Sequence, residues 1–349
     1  MPNATDDSQP SQESATSVAP NESSKPKESS KKKWLVTIGT TLLMLLAVEG
    51  VLRFQFAAHR KANGFVLDDE LGWKIVADSR VEMQKSRYGE VKFSTHKHGF
   101  RRYDDPSSTK TKIFVIGDSY TYADTVNDGE AYYDRLAEKL DAEVFAYGCN
   151  GFSTLQELIV LKRHFQEIDP DLVVWQLCDN DFVNNSHELE SKDLLQSNMM
   201  VRPYRTGGQN VMSFPATTGA SLLANSQFAR WCYRQVFARG RTQFDYSKQE
   251  NKLLAEQAVS LTASLLKEAK SHIGPISMLV FCNNNGKLYL NSLKDFDGYM
   301  TVAVEEEIEA AAKQGKTVDA RPYDRHWNAA GHEIVAETLK RIIGDQHML

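Results

Sequence analysis

The 349 residues carry a net charge of −5 with acidic and basic side chains intermixed, so the basic stripe needed to neutralise phosphates is missing and no nucleic-acid partner is expected. The apolar fraction of 41% is enough for a sizeable core. Four scattered cysteines, Cys149, Cys178, Cys232 and Cys282, contain no CxxC pair, which argues against a zinc knuckle or a disulfide scaffold.

Residues 1–33 are dominated by Ser, Pro, Asn, Gln, Thr, Ala and charge, too little apolar surface to offset chain entropy, and read as a disordered tail. Lys31, Lys32 and Lys33 then precede an apolar run over 34–52, interrupted by Glu49 and Gly50 near its end. That length matches a bilayer core of ~30 Å, and the preceding lysines predict a cytoplasmic N-terminus with the remainder outside. Arg53, Arg60 and Lys61 partly offset that asymmetry. A membrane-proximal segment over 53–110 is expected to pack on the domain, with 65–104 reading as irregular or short β structure.

From 111 to 345 short β-branched runs alternate with segments of helical period, the pattern of a parallel sheet covered on both faces. Five strands are predicted, at 112–117 (KIFVIG), 143–148 (EVFAYG), 172–177 (LVVWQL), 276–282 (ISMLVFC) and, weakly, 317–320. Helices are predicted around 130–140, 154–166, 248–272, 301–314 and 328–343. The fold class is therefore α/β, a flavodoxin-like three-layer α/β/α sandwich on a five-stranded parallel sheet, preceded by one transmembrane helix. The stretch 184–246 fits neither period, contains Pro203 and Gly207-Gly208, and is too long for an ordinary link, so it is expected to shape a substrate site or lid.

Ligands of such sheets bind beyond the carboxyl ends of the strands. There the chain places Gly117-Asp118-Ser119-Tyr120, Gly148-Cys149-Asn150-Gly151, Cys178-Asp179-Asn180-Asp181 and Asp324-Arg325-His326. In strand order 2-1-3-4-5, Ser119 is flanked by Gly151 and Asn180, an oxyanion arrangement. A serine hydroxyl needs a base within hydrogen-bond reach and a third group to orient that base. His326 and Asp324 can supply both from one loop.

The blocks GDSY, GCNGFST, CDND and DRHWNAAGH, in this order, resemble those of the SGNH or GDSL hydrolases over about residues 65–343. The resemblance implies Ser119 as nucleophile, His326 as base and Asp324 as its orienting acid. It also implies an oxyanion hole from the backbone N–H groups of Ser119 and Gly151 and the Asn180 amide, with neither cofactor nor metal. Two features depart from many members: Cys178 where glycine is common, and Asp-x-His rather than Asp-x-x-His. The shorter spacing resembles bacterial members acting on polysaccharide acyl groups. An esterase removing O-acyl groups from a carbohydrate outside the cytoplasm is therefore expected. An O-acyltransferase, a lipase or thioesterase, or an inactive carbohydrate-binding partner are the alternatives.

Weighed singly, a GDS turn is commonplace, and it is the four ordered blocks that give Ser119 and His326 their meaning. Asp118 and Asp181 are read as holding backbone rather than as acids, His332 as packing or capping, and Asn328 as the cap of the last helix. His164 and His187 lack companions at metal-ligand spacing. Cys178 and Cys282 end strands expected to be neighbours, which leaves a disulfide geometrically open.

Overall fold

A computed structural model describes residues 30–85, 89–237, 244–283, 293, 299–320 and 325–349. The chain divides into two compact units, 1–47 and 48–349. Helix α1 (Ser30–Ala62) begins in the first and runs into the second. Within 31–62 an 18-residue window reaches a mean hydropathy of 2.1, and the helix is long and apolar enough to cross a membrane.

In the second unit, two antiparallel hairpins follow α1: β1 (Phe65–Asp68) with β2 (Gly72–Ile75), and β3 (Ser79–Lys85) with β4 (Gly89–Thr95). After β5 (Arg102–Tyr103) come β6 (Lys112–Gly117), α2 (Ser119–Tyr122), α3 (Tyr132–Leu140), β7 (Glu143–Gly148), α4 (Thr154–Ile168) and β8 (Leu172–Leu177). The region after β8 holds α5 (Asp179–Asn185), α6 (His187–Lys192), β9 (Arg202–Thr206), β10 (Gln209–Ser213), α7 (Ala220–Asn225) and α8 (Gln227–Phe237). Then follow α9 (Gln249–Ile273), β11 (Ser277–Cys282), β12 (Met300–Ala303), α10 (Glu305–Lys313) and α11 (Ala329–Asp345).

Among the described residues the central sheet has six strands in the order β12-β11-β8-β6-β7-β5. Five are parallel in the expected 2-1-3-4-5 order, and the sixth, β5, adds an antiparallel edge beside β7. Alternation along each strand feeds two cores. Phe114, Ile116, Val173 and Trp175 face α4 and α9 through Leu158, Leu161, Leu265 and Leu266. Ile113, Val115, Val144 and Val174 face α3 and α11 through Leu136, Val335 and Leu339. The three-layer sandwich is thus present, with one strand more than expected.

The fifth parallel strand lies at Met300–Ala303 rather than at 317–320, and the helix expected from Thr301 starts at Glu305. Thr301 and Val302 pair with β11, while Glu305, Glu306 and Glu307 suit the positive end of a helix. Residues 317–320 instead brace the loop before α11: Asp319 bridges Trp327, and the Ala320 N–H donates to the His326 carbonyl at 3.1 Å. The 184–246 stretch is more regular than its sequence suggests. Gly207 and Gly208, both at positive φ, close a two-residue hairpin between β9 and β10.

Glu49, read as part of the apolar run, accepts hydrogen bonds from Ser226 Oγ (2.9 Å), Gln227 N (2.9 Å) and Phe228 N (2.8 Å) and so caps α8. The first turn of α8 would otherwise leave those donors unpaired. All four cysteines are free, although Cys178 and Cys282 do end neighbouring strands.

Candidate active site

Strand β6 ends at Gly117, and Asp118 caps the single turn of α2, its Oδ1 accepting the Tyr120 N–H at 3.0 Å. Ser119 is thereby presented at the sheet's carboxyl edge, partly exposed while its neighbours Asp118 and Tyr120 are buried. The turn fits only because β7 ends in Gly148, where a Cβ would run into the backbone of Thr121 and Tyr122.

From the far end of the chain, the loop before α11 brings His326 Nε2 to 2.7 Å from Ser119 Oγ. The next acceptor, Asp118 Oδ2, lies at 3.2 Å. The His326 ring sits 4.5 Å from that of Tyr120, whose hydroxyl donates to the Arg325 carbonyl at 3.2 Å. Trp327 is buried against Tyr120, Tyr132 and Phe281, and its carbonyl accepts from Thr125 Oγ1 at 2.7 Å. Asn328 caps α11 by accepting the Gly331 N–H at 3.0 Å, as its type and position predict. The imidazole is therefore held from both sides in sequence. Asp324 lies outside the described residues.

Gly151 follows β7 and Asn180 follows β8, the two strands that flank β6, so both stand at the edge that carries Ser119. Gly151 has φ 71°, a left-handed conformation that favours glycine, and a Cβ there would also meet Asn198 Nδ2 at 2.5 Å. Asn180 is the second residue of α5, and its amide is 3.4 Å from Asn184 Oδ1.

Behind these groups lies a buried polar layer that motif reading does not reveal. Gln176 Oε1 accepts the Asp118 N–H (3.1 Å) and the Thr121 hydroxyl (3.0 Å), while its Nε2 donates to Asn283 Oδ1 at 2.9 Å. The one available signal is a glutamine inside the apolar run LVVWQL. Asn198 Nδ2 donates to the Gly151 carbonyl at 3.4 Å, and its Oδ1 accepts from Arg202 Nη2 at 2.8 Å. Arg202 is fully buried with its Nε 3.3 Å from Glu190 Oε2, itself fully buried. No periodicity marks residues 190, 198 or 202.

Burial pushes the carboxyls of Asp118, Glu157 and Asp181 up; the Asp118 charge adds to the shift of Glu157, and those of Glu157 and Asp118 add to that of Asp181. For Asp118 the Tyr120 N–H and the His326 charge act in the opposite sense. Asp181 Oδ2 accepts the Cys178 N–H at 2.7 Å, so both acids hold backbone as their positions suggest. His332 is buried and pushed down to about 3 by burial; its Nδ1 accepts the Tyr132 N–H at 3.3 Å, a packing role.

A family model described as GDSL-like Lipase/Acylhydrolase matches residues 113–339, and the chain belongs to that family. It is a serine hydrolase of the SGNH type, with an esterase or acyl-hydrolase activity. Among solved structures it is similar to an acetyl xylan esterase (Est2A) from the rumen bacterium Butyrivibrio proteoclasticus, at 10% identity and a TM-score of 0.38. That match covers 68% of this chain and 64% of the other, less than two thirds of its length. A catalytic mutant of the acetylxylan esterase Axe2 from Geobacillus stearothermophilus matches at 14% identity and a TM-score of 0.36, covering 68% and 95%. LAE5, an alpha/beta hydrolase enzyme from the metagenome of Lake Arreo, Spain, matches at 14% and 0.39, covering 70% and 98%. Likeness at these levels says nothing of substrate. No curated protein matches the sequence.

Proposed function

We propose that the chain is a membrane-anchored serine esterase that removes O-acyl groups from a carbohydrate, with Ser119 as nucleophile and His326 as base. The single observation behind this reading is the 2.7 Å approach of His326 Nε2 to Ser119 Oγ. With Nε2 accepting, the imidazole proton belongs on Nδ1, where Asp324, two residues earlier, is assigned to hold it. His326 takes the serine proton as Oγ attacks the ester carbonyl. The backbone N–H groups of Ser119 and Gly151 and the Asn180 amide are assigned to the oxyanion, where one donor is typically worth ~3 kcal/mol. His326 then protonates the departing sugar oxygen, and water activated by the same imidazole releases the acyl group.

The carbohydrate assignment is supported by the Asp-x-His spacing and by a cavity of about 380 Å³ beside the glycine loop, whose lining includes His59, Phe65, Trp73, Asn150 and Asn198. The partly exposed Phe65 ring together with amide donors suits a sugar ring. Lys31, Lys32 and Lys33 ahead of the apolar helix support an anchor with the catalytic domain outside the cytoplasm.

The full-length protein in detergent is expected to turn over a small acetyl ester and to lose that turnover in Ser119→Ala. Activity surviving that change overturns the assignment of Ser119. Acetylated oligosaccharides should be preferred over long-chain esters, and addition of an acceptor sugar separates hydrolysis from acyl transfer by the product formed.

A further inference from the structure

Three metal-capable side chains from two separate elements converge on the side of the sheet that carries α4. His98 sits in a short 3-10 turn, and His164 and Glu167 lie one turn apart on α4. One donor atom from each falls within 4.8 Å of the others. We propose that His98, His164 and Glu167 form a binding site for one divalent transition-metal ion of the zinc type.

The geometry of the carboxylate carries the proposal. Glu167 Oε1 is engaged by Lys97 Nζ at 2.5 Å and by the Tyr103 hydroxyl at 2.6 Å. That leaves Oε2 turned toward both imidazoles, 3.4 Å from His98 Nε2 and 3.9 Å from His164 Nδ1. Two ligands ~2.0–2.1 Å from a tetrahedral ion stand roughly 3.3 Å apart, so small side-chain shifts complete the site. Partners on the non-ligating oxygen are what orient a metal-binding carboxylate.

The second observation is on His164. Its Nδ1 is buried with no hydrogen-bond partner, although a buried polar atom left so costs ~1–3 kcal/mol. The ring cannot turn freely to find one, since it packs edge-on against Phe100 at 5.1 Å and lies 4.8 Å from the His98 ring. A metal ion between the rings removes the deficit.

His98 adopts a left-handed backbone, φ 60°, which delivers its ring to the α4 surface. Two imidazoles and one carboxylate with open positions suit Zn²⁺, Co²⁺ or Ni²⁺ over Mg²⁺ or Ca²⁺. His164 lies ten residues beyond Thr154 on α4, roughly 15 Å along the axis from the end nearest Gly151, so the ion's role is to tie the membrane-proximal segment to the sheet rather than to meet substrate.

Full-length protein in detergent, stripped with a chelator, is titrated with Co²⁺ and followed by visible absorption, then challenged with Zn²⁺. One Co²⁺ per chain is expected, displaced by one Zn²⁺, with Zn²⁺ raising the melting temperature. His98→Asn, which tolerates the left-handed backbone, and Glu167→Gln should each weaken binding at least ~10-fold while ester turnover persists. Failure to saturate at one ion per chain overturns the proposal. So does binding that both variants leave unchanged. Because Ser119-dependent turnover is read separately, either outcome stands apart from the esterase assignment.

Discussion

Replacing Gln176 by leucine tests whether the sheet itself positions the nucleophile. Leucine fills nearly the same volume, so the effect is one of hydrogen bonding rather than of a cavity. Two groups lose their partner outright: the Asp118 N–H, which donates to Oε1 at 3.1 Å, and Asn283 Oδ1, which accepts from Nε2 at 2.9 Å. The Thr121 hydroxyl keeps an alternative in the Tyr132 hydroxyl at 2.8 Å. At ~1–3 kcal/mol for each of the two orphaned buried groups, the loss is about 2–6 kcal/mol. In a domain of this size that corresponds to a fall in melting temperature of roughly 3–10 °C, read by tryptophan fluorescence in detergent. The Asp118 N–H opens the turn that carries Ser119, so kcat on a small acetyl ester should fall ~10–100-fold. A Gln176→Leu protein that melts within about 1 °C of the parent refutes the reasoning.

Gly148→Ala places a methyl group in the backbone of α2, which cannot yield as a side chain would; a loss of ~3 kcal/mol or more is expected, seen as poor expression or early melting. Asp324→Asn should lower kcat roughly 10³–10⁴-fold with little change in KM, because the amide stabilises the wrong imidazole tautomer; an effect below ~10-fold removes Asp324 from the mechanism. His332 gives a pH prediction. Its folded value of about 3 lies below the unfolded ~6.5, so the unfolded chain takes up the proton first and stability is lost as pH falls from 6.5 toward 3. The loss due to this group is about 2 kcal/mol at pH 5, and His332→Gln should flatten the acid limb of the melting curve by about that amount.

The parallel strands over Lys112–Gly117, Glu143–Gly148, Leu172–Leu177 and Ser277–Cys282 were legible because they are short β-branched runs between clear helical periods. The meeting of Ser119 with His326 was expected from the order of the four blocks, although only Ser119 follows a strand; His326 stands in the loop before the last helix. Met300–Ala303 was missed because a four-residue strand followed by three glutamates reads as the front of a helix. The antiparallel edge strand Arg102–Tyr103 is two residues long, below what periodicity can detect. Gln176, Asn198 and Arg202 act through partners 4 to 107 positions away, and spacing carries no record of such pairings. The same applies to His98 and His164, which meet only once the 3-10 turn packs on α4.

The bond from Asn198 to the Gly151 carbonyl gives the segment after β8 a second duty. That segment steadies the Gly151 loop through an amide anchored by the buried Arg202–Glu190 pair. The two pieces of chain are therefore joined rather than independent. Transplanting the 184–246 stretch would carry this strut away with it. A workable chimera has to bring its own amide at position 198, together with the ion pair that fixes it.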